Sequence, residues 1–438
     1  MTLDRRRFLV TTGISLAGGL APARSFAAAA ATVTPPPDPA DWASVRAQFE
    51  LSRDYIHLAT FYISSHPRPV REAIETHRKA IDANPYLVVE RAVIENRIAG
   101  EVPAAAAEYL GGKPEEVALT GNTTTGLALV YRGLPLGPGQ EILTTTHEHY
   151  SHHESIRLAA QRAGATVRKI ALYDDGAAAS QDEIVDRIRR QVRPATRAVG
   201  VTWVHSSTGV KLPIRRIAEA FADLNRGRDE KDRALLIVDG LHGFGVEDET
   251  VARMGCDFFV SGTHKWIFGP RGTGIVWAPE RVWGSLSPTI PAFAMEPYEA
   301  WLEGKQLPGP MKASWISPGG FHAYEHQWAL PAAFRFHQQI GRERVAQRTH
   351  ALNDMLKEGL ARLPHVRLRT PRGSRLSAGI VCFDVQGMKP GEVVRRLLER
   401  RIVGSETPYA PSYVRLAANI VNTPEEIETT LSAVKGLA

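Results

Sequence analysis

From Val117 to about Ala278 the chain alternates short β-rich runs with amphipathic helical stretches, and this alternation restricts the fold more than any other feature. The β-rich runs are Val117–Thr120, Glu141–Thr145, 166–172, 198–204, Leu235–Asp239, 258–261 and Gly274–Trp277. Helical patterns such as Gln181–Gln191 and Ile214–Leu224 separate them. Strands joined through helices run mostly parallel, because a parallel pair needs a crossover connection. The expected fold class is therefore α/β. A large domain over 42–300 should hold a mostly parallel seven-stranded sheet between helices. Beyond Ala329, helical patterns at 331–363 (interrupted near Gly341) and 390–401 flank a strand at 379–385. They predict a smaller α+β domain over 301–438.

The first 31 residues read as an address. Asp4-Arg5-Arg6-Arg7-Phe8-Leu9-Val10 leads into a short apolar stretch, then Ala-rich sequence with small residues at Ser25-Phe26-Ala27. This resembles a twin-arginine (Tat) export signal, although Asp4 and Val10 depart from its usual Ser/Thr and Lys. It implies export of a folded protein to the periplasm or beyond, through the Tat machinery. Four arginines and one aspartate fall here, so the segment carries half of the net charge of +6. The remainder gives no nucleic-acid footprint. No run of about 18 apolar residues predicts a membrane span. Residues 32–41 are a Pro-rich linker, and the mature fold should begin near Trp42.

In open α/β sheets, ligands bind beyond the carboxyl ends of the strands. After Val117–Thr120 comes Gly121-Asn122-Thr123-Thr124-Thr125-Gly126. Small hydroxylated residues at a helix start make either a phosphate cradle or a plain N-cap. After Leu235–Val238 comes Asp239-Gly240-Leu241-His242. After 258–260 comes Ser261-Gly262-Thr263-His264-Lys265-Trp266, then a Gly-rich loop. A lysine between two apolar strands, flanked by His and Trp, is poorly hydrated. Such an amine loses its proton readily and can bond a carbonyl.

Together the cradle, Asp239, His242 and the His264-Lys265 pair resemble the fold-type I pyridoxal 5′-phosphate (PLP) enzymes of aminotransferase class V. That family includes cysteine desulfurases, kynureninases and isopenicillin N epimerase-like proteins. The resemblance spans roughly residues 50–430. It implies that Lys265 carries the cofactor and shuttles the Cα proton, and that Asp239 pairs with the pyridinium nitrogen. His242 falls where desulfurases have a Gln near the phenolic oxygen. Asn122, Thr123 and Thr124 would hold the phosphate, helped by Ser261 or Thr263 and by His264.

The segment Thr146-His147-Glu148-His149-Tyr150-Ser151-His152-His153 invites a metal reading. A firm third ligand is missing, and the family stacks a ring on PLP at this strand end, so His149 is read as the stacking residue and no metal is expected. Ser206 falls where desulfurases place an Asn near the cofactor, or simply in a turn. Arg415 in Tyr413-Val414-Arg415-Leu416-Ala417 resembles the family's carboxylate-binding arginine. The stretch Tyr55-Ile56-His57-Leu58-Ala59-Thr60-Phe61-Tyr62 would lie over the substrate, with Phe61, Tyr62 and Trp315 shaping the entrance. Pro318-Gly319-Gly320-Phe321-His322 replaces the family's loop to the neighbouring subunit's phosphate, and a homodimer is still implied. Cys256 and Cys382 should be buried small hydrophobes, not reactive thiols.

The resemblance implies chemistry at the Cα of an amino acid or an amino-acid-containing natural product. A Tat signal joined to this domain resembles the pyoverdine-tailoring and capuramycin-pathway members of the family. They imply oxidative decarboxylation, in which dioxygen is consumed and a carboxamide is formed. Epimerisation, carbon–sulfur lysis and transamination are the alternatives.

Overall fold

The computed structural model describes residue 38 and residues 40–94, 97–307 and 309–437. The export segment and most of the Pro-rich linker lie outside the described residues. Among the described residues the first helix is Trp42–Ala47, and Asp41 caps it through hydrogen bonds from the amides of Ala43 and Ser44.

Strand β1 (Ile56–His57) precedes the large sheet. That sheet contains β2 (Val117–Thr120), β3 (Glu141–Thr145), β4 (Thr166–Ile170), β5 (Thr196–Thr202), β6 (Leu235–Asp239), β7 (Phe258–Gly262) and β8 (Gly274–Trp277). Its order is β2-β8-β7-β6-β5-β3-β4. Strand β8 is antiparallel to both neighbours, and the remaining pairings are parallel. Alternate side chains feed cores on the two faces. Phe259 joins Trp203 and Phe244 in one core, while its neighbour Phe258 packs on Trp283 in the other. Burial on both faces explains the near-continuous apolar runs.

The expected helix at 331–363 divides into Tyr324–Ile340 and Arg342–Ala361, with Gly341 between at φ 95°. The first begins before Pro331 and runs through it. Its early turn is held by packing, with the Tyr324 ring stacked on Trp328 at 5.1 Å. Trp328 and Phe334 belong to the same core as Trp203. Residue 301 falls within the helix Met295–Leu302.

The small sheet is built from β9 (Val366–Leu368), β10 (Val381–Val385), β12 (Ser405–Glu406) and β13 (Val414–Leu416), in the order β12-β13-β10-β9 and antiparallel throughout. Strand β11 (Ile402–Val403) pairs with β1. A bridge between Ala59 and Ala417 then lays the segment Thr60-Phe61-Tyr62 beside Arg415.

Candidate active site

A cavity of about 410 Å³ opens at the carboxyl ends of β2, β3, β5, β6 and β7, under the small sheet. Twelve of the residues expected from the sequence line it: Phe61, Tyr62, Asn122, Thr123, Thr124, His149, Ser206, Asp239, His242, His264, Lys265 and Arg415. Ser261 and Thr263 do not. Both are fully buried, and their hydroxyls are used within the loop. Ser261 donates to the Gly262 carbonyl at 2.8 Å, and Thr263 bonds Thr273. They shape the turn that carries Lys265.

Asn122 caps the helix Thr123–Gly133, its side-chain oxygen accepting from the Thr125 amide at 2.9 Å. The capping alternative thus holds for Asn122. The amides of Thr123 and Thr124 in the first turn remain free for an anion. The Thr123 hydroxyl accepts from the Gly262 amide at 2.8 Å, which ties the cradle to the Lys265 loop. This approach is tight: a Cβ on Gly274 would fall 3.1 Å from the Asn122 Cα.

Lys265 is half-buried, and loss of hydration pulls its amine down to about 7 despite the opposing pull of Asp239. Asp239 is buried, and burial pushes its carboxyl up, with His152 and the Leu241 amide pulling it back. His242 is buried and held far from protonation, chiefly by burial and then by Lys265 and Arg415. The Trp266 indole donates to His242 Nδ1 at 3.3 Å, which leaves the proton on Nε2.

Arg415 is 6% exposed. Its guanidinium sits 3.9 Å from the centroid of the buried Phe61 ring and donates to Ser405 and to the Ser206 carbonyl. It has no carboxylate partner among the described residues. A buried guanidinium in this state is matched to an incoming carboxylate. Tyr62 is 74% exposed at the mouth. His57 and Trp315 lie elsewhere: His57 pairs in β1 and bonds the Ser52 carbonyl, and buried Trp315 donates to Glu296.

His149 caps the helix Tyr150–Ala163, with Nδ1 facing the Ser151 hydroxyl at 2.9 Å and its amide at 3.3 Å. The other histidines of the segment divide in purpose. His147 stacks on Tyr173 at 4.0 Å. His153 bonds the Thr145 carbonyl. His152 is fully buried between Glu148 at 2.9 Å and Tyr131 at 2.7 Å. Among the described residues no group of three His, Cys, Asp or Glu side chains is arranged to hold a metal ion.

Two residues escaped sequence reasoning. Glu148 is buried, bonds Thr145 and Thr202 as well as His152, and lies under the floor of the cavity. Its only sign was its place among the histidines. Tyr409 bonds Ser206 Oγ at 2.6 Å and lines the cavity beside His149. An aromatic in the Pro-rich stretch 407–413 just before Arg415 was its signal.

These residues fit PLP: free cradle amides for phosphate, a carboxyl for the pyridine nitrogen, an Nε2–H donor for the ring oxygen and an amine with no hydrogen-bond partner among the described residues for the carbonyl.

Comparisons with known proteins agree. A family model described as Aminotransferase class-V matches residues 64–428. The chain is 28% identical to isopenicillin N epimerase of Streptomyces clavuligerus over 410 residues, covering 91% of this chain and 98% of that one. It is 24% identical to a probable cysteine desulfurase of Pyrococcus abyssi, covering 90% and 96%. A solved structure of C-DES with glycine covalently linked to its PLP cofactor shares the fold, with a TM-score of 0.78 at 24% identity over 89% of this chain and 98% of that one. The chain belongs to the aminotransferase class-V family of fold-type I, PLP-dependent enzymes.

Proposed function

We propose that this enzyme is a Cα epimerase of amino acids or of compounds that carry one. The observation that carries the reading is that Lys265 and His149 flank Asp239 from opposite sides. Lys265 follows β7 and His149 follows β3, with β6 and β5 between them. Three strand spacings, about 14 Å, leave room for a flat ring over Asp239.

Bound PLP supplies an electron sink for the charge left at Cα. Arg415 would hold the α-carboxylate and so orient Cα. Lys265, with its amine near 7, is suited to take or return a proton at Cα from one side. His149 is suited to the other side. Burial and the nearby Lys265 and Arg415 lower its proton affinity and keep its ring neutral. The Ser151 amide donates to Nδ1, so the proton of the neutral ring sits on Nε2, the nitrogen left to deliver it at Cα. Removing a proton on one side and returning one on the other inverts the centre and needs no second substrate.

The similarity to isopenicillin N epimerase over nearly the full length supports this reading. Cys256 and Cys382 are both free, buried and outside the cavity, and burial pushes both thiols up, Cys382 to about 12. A protein thiol that receives sulfur must reach the substrate, so their placement disfavours a desulfurase. Oxidative decarboxylation, the expectation from the sequence, gains no support from the comparisons.

The test incubates loaded protein with a panel of amino acids and glutamyl peptides, in air and under nitrogen. Chiral chromatography should find inversion at equal rates in both, without added keto acid. Carboxamide and carbon dioxide formed only in air would establish the oxidative reaction instead. Sulfide or keto-acid release would indicate lysis, and dependence on a keto acid would indicate transamination.

Two further expectations belong to the proposal. Phe293 and Phe321 are strongly exposed and face each other at the loop 318–322, which supports pairing of two copies, to be tested by light scattering. Residues 1–31 would export the loaded protein by the Tat route, to be tested by replacing Arg5, Arg6 and Arg7 with Lys and measuring its release to the periplasm.

A further inference from the structure

We infer that the substrate is an amino acid with a second, distal carboxylate, and that Arg369 binds that carboxylate in a chamber beside the catalytic cavity. The inference rests on the reading of the site as one for chemistry at Cα. The chamber holds about 420 Å³ and shares His147, Pro408 and Tyr409 with the catalytic cavity as a common wall. Its outer walls include Tyr150, Arg369 and Tyr413.

The small sheet sets the spacing. Cys382 on β10 stands opposite Arg415 on β13. On its other side the Arg369 amide donates to the Cys382 carbonyl at 2.8 Å, which continues the register in which Phe383 faces Leu368. Residues directly opposed in antiparallel strands project to the same face. Arg369 and Arg415 therefore stand on one face, two strand spacings or about 10 Å apart at the backbone.

The chamber's charges leave one fork open. Asp174 pairs with Arg187, and Asp175 with Arg367. Glu148 is enclosed by its own hydrogen bonds. Arg369 donates through Nε to Asp384 at 2.6 Å and lies 5.0 Å over the Tyr413 ring. Its two terminal nitrogens have no partner among the described residues. A planar guanidinium held flat, with both ends free, matches a carboxylate by geometry. With Arg415 on the α-carboxylate, the distal one falls some six or seven bonds away, about 8 Å of extended chain. The chain passes Tyr409, whose bond to Ser206 stands at the opening between the two spaces.

The test titrates the PLP-loaded protein with glutamate, 2-aminoadipate, 2-aminopimelate, 2-aminosuberate and neutral norleucine, and reads visible absorbance. Affinity should rise along the dicarboxylate series and reach about tenfold above norleucine at aminopimelate or aminosuberate. Arg369→Met should erase that difference, and Arg369→Lys should restore part of it. A flat wild-type series would overturn the inference, and it can be read even if a variant does not fold. An unchanged series in Arg369→Met would also overturn it. If no amino acid, norleucine included, alters the absorbance, the reading of Cα chemistry itself fails and this inference falls with it.

Discussion

The Arg415 guanidinium rests 3.9 Å from the centre of the Phe61 ring, a contact between residues 354 positions apart in the chain. The β1–β11 pair and the Ala59–Ala417 bridge bring them together. The aromatic face supports a buried cation that has no carboxylate partner among the described residues, so the binding group is in place before substrate arrives.

Replacing Arg415 should therefore act on every substrate. A buried charged hydrogen-bonded pair is worth about 2–5 kcal/mol when one partner is removed, and each 1.4 kcal/mol is about tenfold. Arg415→Met should raise KM by about 100-fold. Phe61→Leu removes the cation–π contact, worth about 1–2 kcal/mol, together with some core packing, and should raise KM about tenfold. Steady-state kinetics of the two variants check the ratio.

Lys265 must be unprotonated to bond the cofactor. Loss of hydration pulls it down to about 7, so PLP uptake by the cofactor-free protein should rise with pH through about 7 and then level off. An ordinary lysine would keep rising toward about 10.4. The linkage has a definite sign. Between about 7 and 10.4 the unfolded chain binds more protons at this lysine than the folded chain, so its contribution to stability rises with pH there. Lys265→Met should remove that slope and all visible absorbance. Stopped-flow mixing with PLP and denaturant titrations across pH measure the two effects.

Glu148 is predicted to be structural, with an effect on the cofactor through its neighbours. Burial works to raise its carboxyl, but His152 and His205 hold it well below the usual range. Its contribution is present above the unfolded value near 4.3 and is lost as pH falls below that value. Glu148→Gln should cost about 3–5 kcal/mol, because it leaves His152 facing a neutral amide. Urea unfolding at pH 7 and pH 4 should show the difference between wild type and variant shrinking in acid.

The Trp266–His242 hydrogen bond should be visible in the cofactor's spectrum. Trp266→Phe keeps the ring but frees His242 Nδ1 to carry the proton. The pH dependence of the visible absorbance should shift. Stability should fall as well, by about 1–3 kcal/mol, because Trp266 is a buried core ring and the smaller phenyl leaves a gap.

The sheet could be read from the chain because strands buried on both faces are near-continuous apolar runs set between helical patterns. Asp239 and Lys265 follow apolar runs, and both lie at the cavity. Ser261 and Thr263 were misplaced because a hydroxyl in a tight loop satisfies its own backbone as readily as a phosphate, and spacing does not distinguish the two. The burial of His152 is not legible locally, because its partner Tyr131 comes from another helix, 21 residues away. Tyr409 and Arg369 meet the site only through the small sheet's cross-strand register, which local sequence does not carry.

The central claim is that Lys265 and His149 serve opposite faces of Cα. Proton magnetic resonance of each substrate enantiomer in deuterium oxide tests it most directly, with wild type and His149→Ala. The account predicts that wild type exchanges and inverts both enantiomers, while His149→Ala still exchanges one and no longer inverts it. Inversion that persists in His149→Ala, or equal loss of exchange from both enantiomers, would contradict it.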